Sequence, residues 1–247
     1  MTAPSYVTYI VLVSCIGIVA VVLAGLRVAI VRAHFDAAQR AATLRMAAVL
    51  LILWFAAAQA LSAAGAFQGT TNRPPTIEFG IFVPIVIGLA WLWRSTTAMR
   101  LLDAVPQSWL VGVQFYRVLG LIFLLMNADG RMPSTFALPA GWGDVAVGLL
   151  APVVAVAYAR GVAGRELLVR GWNVLGLLDL TVAITTGFLT SPSPFQALSF
   201  DAPNELISAY PLVMVPVFAV PLAVLLHVAS LLKLRREGLH RLVPAGA

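Results

Sequence analysis

Long, nearly unbroken apolar runs alternate with short polar connections along the whole chain. A helix needs about 20 mostly apolar residues to cross a hydrocarbon layer. Seven stretches approach or meet that length: roughly Tyr6–Val31, Met46–Phe67, Phe79–Trp93, Trp109–Asn127, Gly143–Ala159, Gly171–Thr190 and Tyr210–Leu232. We number these spans one to seven. The third and fifth are short, which leaves room for their helices to begin inside the preceding loops. Polar residues do not alternate with apolar ones within the runs, so helices are expected rather than barrel strands. The expected fold is all-α: a polytopic membrane bundle of about seven transmembrane helices, forming a single integral domain over residues 1–247.

Composition strengthens this reading. Of 247 residues, 61% are hydrophobic and 11% charged, against about 25% charged in an ordinary soluble domain. Too few polar side chains exist to cover a water-facing surface, so the expected partner is a lipid bilayer. The lone cysteine, Cys15, excludes an internal disulfide and a cysteine metal cluster. No basic residue precedes the first run, and no Ala-x-Ala exit ends it, so it reads as a span rather than a cleavable leader.

Charge placement gives the expected orientation. Arg32, Arg40 and Arg45 follow span one; Arg94 and Arg100 follow span three; Arg160, Arg165 and Arg170 follow span five. Lys233, Arg235, Arg236 and Arg241 follow span seven, and Arg27 near the end of span one can snorkel to the same face. Only Arg73 and Arg131 lie in the connections on the other side. Basic residues collect on the cytoplasmic side, so the N-terminus is expected outside and the C-terminus inside, in a plasma or bacterial inner membrane. This asymmetry accounts for the net charge of +6 without nucleic acid. The opposite loops are turn-rich, with Pro74-Pro75, a Pro- and Gly-containing stretch over Asp129–Trp142, and Pro192, Pro194 and Pro203 in the longest.

The chemistry then rests on the few polar groups inside the spans, since such groups in hydrocarbon face the interior and find partners. Arg117 in span four and Asp179 in span six each lie eight residues from the cytoplasmic start of their span, about 12 Å along a helix. An Arg117–Asp179 ion pair is expected. Gln114 shares a face with Arg117 at a spacing of three, and Tyr116 lies beside it. His227 in span seven falls at a depth similar to Gln114, with Asn173 closer to the surface. Gln114, Tyr116, Arg117, Asn173, Asp179 and His227 therefore form the candidate substrate or ion pathway. His227 has the chemistry for proton relay near neutral pH. No second histidine falls in a span, so neither a bis-histidine haem nor any other cofactor or metal site is expected.

Prolines 84, 152, 211, 216 and 221 mark expected kinks in spans three, five and seven. Small residues such as Gly17, Gly25, Gly112, Gly120, Gly148 and Gly176 suit close helix packing. Trp91, Trp93, Trp109, Trp142 and Trp172 sit at expected span ends, as in an interfacial belt. Gly17–Leu23 and Gly143–Leu149 align as a short repeat between spans one and five.

Gly141-Trp142-Gly143-Asp144 has the GxGD spacing of intramembrane aspartyl proteases. Such chemistry needs two carboxylates that share a proton. With Asp144 capping span five at the outer face, its offset from Asp179 is on the order of 15 Å, which argues against the pairing. Ala146 also stands where prepilin peptidases carry lysine. The only lysine, Lys233, lies too near the end of span seven for a retinal Schiff base. No HExxH, phosphate-binding loop or serine nucleophile elbow appears. Two readings come first, and an intramembrane aspartyl protease stands third. One is a transporter for a small solute or ion. The other is a non-transporting sensor, assembly factor or subunit, with a membrane-protein partner or a second copy of the chain.

Overall fold

The structure, a computed structural model, describes residues 3–242, and side chains through residue 239. The tail arginine Arg241 and His240 lie outside the described side chains. The described residues form α1 (Ser5–Arg32), α2 (Ala37–Ala63), α3 (Ile77–Arg94), α4 (Thr96–Ala104), α5 (Gln107–Gly112), α6 (Leu121–Ala128), α7 (Ser134–Ala159), α8 (Arg165–Thr190) and α9 (Val220–Leu242). No strand appears among them, only an isolated bridge between Thr70 and Arg73. Seven helical spans are long and apolar enough to cross a membrane, which supports an integral, multi-pass membrane protein.

Several boundaries differ from the hydropathy pattern, each for a local reason. Span two begins at Ala37 rather than Met46, so Arg40 and Arg45 lie on the helix. Asp36 accepts a bond from Gln39 N at 2.8 Å, and the Gln39 side chain accepts from Asp36 N at 3.3 Å. This capping box satisfies two otherwise unpaired donors. Span five begins at Ser134, nine residues before Gly143. Pro133 takes an extended conformation as its N-cap, and Pro139 and Pro152 are carried inside the helix. Asp144 is therefore eleventh in the helix and not its cap. Span six begins at Arg165, after Gly164 turns with φ +74°. Short amphipathic α4, unseen in the hydropathy, is capped by Ser95 at 3.2 Å and buries Ala98, Leu101 and Leu102.

Two spans depart from α geometry where they meet. Between α5 and α6, residues 113–120 form a 3-10 helix. Its three-residue turn stacks Gln114, Arg117 and Gly120 on one buried stripe. Before α9, Val215–Ala219 form a π-helix containing Pro216, and Pro221 follows. Prolines there remove two backbone donors.

The seventh span is the hub. Of its most apolar window 67% is buried, against 11% for α2. It packs against α3, α5 and α8, while α7 packs along α8 and the fourth span. One end of the bundle is basic and tied together. Lys233 Nζ donates to the carbonyls of Leu102 (3.1 Å) and Asp103 (2.8 Å). Arg236 binds Asp103 through two bonds of 2.7 Å. Arg100 lies 4.2 Å over the Phe35 ring and donates to Ala33 O.

Candidate functional site

Arg117 is the centre of a buried polar cluster midway along the bundle. Its Nε and Nη2 both lie 2.7 Å from Asp144 Oδ1, and Nη2 also donates to Asp179 Oδ2. The expected pair with Asp179 is present, and Asp144 joins it from α7. The proposed separation of the two aspartates is thus corrected. The nine-residue extension of α7 carries Asp144 from the helix start into the middle of the bundle. Gly143 makes this approach feasible, because a Cβ there would overlap the Asp179 carboxylate. The two carboxylates converge on one guanidinium. Each is engaged by the guanidinium between them, whereas a dyad needs its acids to share one proton.

The remaining nitrogen, Nη1, donates to Gly176 O at 3.3 Å and lies 3.1 Å from His227 Nε2. A guanidinium can only donate, so Nε2 accepts and the ring carries its hydrogen on Nδ1. That hydrogen goes to Asn173 Oδ1 at 2.9 Å. Gly176 is required where His227 crosses α8, since any Cβ would strike the imidazole. Asn173 Nδ2 donates to Ser230 Oγ and to Val169 O, both at 2.8 Å. Gln107 Nε2 donates to the same Ser230 Oγ at 2.6 Å. A bonded chain therefore runs from the aspartates toward the basic end. It does not form a continuous proton relay, because the Asn173 amide separates His227 from Ser230.

All six residues of the candidate pathway fall in or beside this network. Tyr116 donates to Ala219 O at 3.0 Å, joining the 3-10 segment to the π-helix. Gln114 is fully buried, and its Nε2 donates to Ala223 O at 3.5 Å. Its Oε1 accepts no hydrogen bond among the described residues. Sequence reasoning missed Asp144, Gln107 and Ser230. The signals were present: Gln107 precedes Gln114 by seven residues, and Ser230 follows His227 by three, both same-face spacings. Trp172 was expected in the interfacial belt. It is instead buried 4.9 Å from the His227 ring, donating to Val147 O at 3.1 Å. Gly17 meets nothing within 4 Å while Gly143 abuts Asp179, so the aligned segments do different structural work.

Two cavities reach Asp144. One of about 20 Å³ is lined by Tyr116, Arg117, Asp144, Ala219 and Ala223. The other, about 50 Å³, runs from Glu78 at the head of α3 and Ser191 after α8, past Phe188, down to Asp144. Asp144 thus forms the floor of a cleft on the end away from the basic cluster.

Residues 74–235 match the family defined by a domain of unknown function, DUF8737. The chain belongs to the DUF8737 family. The matched region takes in α3 through most of α9, so every member of the Arg117 network lies within the DUF8737 segment, whereas α1 and α2 precede it. No curated protein and no solved structure matches the chain.

Proposed function

We propose that this DUF8737 protein is a transporter for a small solute or ion, with the Asp144–Arg117–Asp179 cluster as its site. The observation that carries this reading is the asymmetry of access to Asp144. A cleft reaches it from the end opposite the basic residues. Toward the basic end, the path is closed by the bonded layer of His227, Asn173, Ser230 and Gln107. By the positive-inside rule the basic end is cytoplasmic, so the cleft faces outward, with the N-terminus outside and the C-terminus inside. The facing 3-10 and π segments support the reading further. Non-α backbone within a membrane span is tolerated where it is buried in protein or lines a cavity, and such segments often mark moving sites.

Reconstitution of the full chain in liposomes with a panel of solutes and ions tests this. Flux is expected for one class, and Asp144→Asn is expected to abolish it while the protein still folds. Absence of flux across the panel in folded, oriented protein would sink the transport reading.

A second reading, a non-transporting sensor, assembly factor or complex subunit, is favoured by one observation. The layer from Arg117 to Gln107 is continuously hydrogen-bonded, as a static lock would be. In that case Arg117→Ala removes a co-purifying partner or lowers expression, and no solute moves.

A further inference from the structure

Acidic side chains outnumber basic ones around Arg117. Asp144 on α7 and Asp179 on α8 each bond the one guanidinium. His227, reaching in from α9, accepts from Arg117 and so contributes no positive charge. Tyr116 on the same segment donates its hydroxyl to Ala219 O. At the head of the cleft α3 brings Glu78, a further carboxylate. With both aspartates ionised, the one arginine leaves one negative charge over, in a bundle whose surroundings are apolar. A buried charge without a partner is strongly unfavourable, so a neutralising species belongs there.

Space beside Asp144 points to the same place. The cavity of about 20 Å³ beside Asp144 exceeds the roughly 10–15 Å³ that a single water occupies. It therefore takes one water-sized guest. We infer that this spare charge is met by one monovalent cation drawn from the outer cleft, either a proton on an aspartate carboxyl or an alkali ion in the cavity beside Asp144. A divalent ion would overshoot the single spare charge, and the described residues hold no group of three acidic, histidine or cysteine side chains to ligate one.

This inference rests on the same cluster as the transport reading, and a binding measurement separates them. Purified full-length protein is unfolded thermally at constant ionic strength. In one arm sodium, lithium or potassium replaces N-methylglucamine, which is too large for the cavity, at fixed pH. In the other arm the proton concentration rises without alkali ions. A melting temperature that climbs with one of the cations supports the site and identifies the guest. Asp144→Asn and Asp179→Asn each cancel the spare charge, so the response is expected to vanish in whichever folds. Each is expected to be at least as stable as the wild type without cation. Insensitivity of the wild type to both arms would overturn the inference, as would an undiminished response in the folded aspartate variants. Cation-linked stability without flux sinks transport and leaves the site. Flux of a neutral solute, indifferent to cations, does the reverse.

Discussion

At the scale of single residues, Arg117 has more to lose than any neighbour. It holds two carboxylates, a backbone carbonyl and a histidine. Removing one partner of a buried ion pair costs about 3–5 kcal/mol, so Arg117→Ala should destabilise by that order in a reversible unfolding assay. An Arg117→Asp, Asp179→Arg double variant should recover part of what either single change loses. Recovery of nothing would mean that Asp144 is the stronger partner. Gly143→Ala should lower stability as well, because the new methyl displaces the Asp179 carboxylate; retention of wild-type melting would contradict the close α7–α8 approach. The pairing of Arg117 with Asp179 was legible from equal depth in neighbouring spans. Asp144 was not, because Pro133, Pro139 and two glycines resemble a turn to any local reading, whereas Pro133 only caps α7 and packing against α6 and α8 keeps Pro139, Gly141 and Gly143 helical.

At the scale of elements, irregular helices mark where the bundle joins. The Tyr116 hydroxyl ties the 3-10 segment to the π-helix. A net hydrogen bond contributes about 1 kcal/mol, so Tyr116→Phe should cost that much by thermal melting. Under the transport reading it should also change the flux rate; a change in neither would show the contact to be idle. At the basic end, the Asp36 capping box begins α2. Asp36→Ala should weaken the protein by roughly 0.5–2 kcal/mol, with faster amide exchange confined to the first turns of α2. Hydropathy located the spans but misplaced the beginnings of α2, α7 and α8. The caps and arginine-bearing first turns of α2 and α8 are polar, so a window that rewards apolar residues excludes them, whereas the start of α7 is masked by its prolines and glycines.

At the scale of the whole molecule, the chain divides by burial. Spans four to seven enclose the polar network, and α1 and α2 lie outside the DUF8737 segment. An open apolar groove of about 540 Å³ is lined by α1 and the fourth span. Orientation is directly testable, because Cys15 is the single cysteine and is fully buried. Cysteines introduced at Thr71 and at Arg235 should react with a membrane-impermeant reagent from opposite sides, position 71 from outside. Labelling of position 235 from outside would reverse the topology.

The order of apolar runs determined the helical class and the number of spans, because hydrocarbon demands length and satisfied backbone bonds that only continuous apolar helices supply. The distribution of arginines carried the expected orientation in the same way, residue by residue. What only the tertiary structure decided is which polar groups meet. Asp144, Arg117, Asp179 and His227 come from four helices, and their contacts depend on helix rotation and on starts set by caps. Local sequence leaves both open until the helices pack.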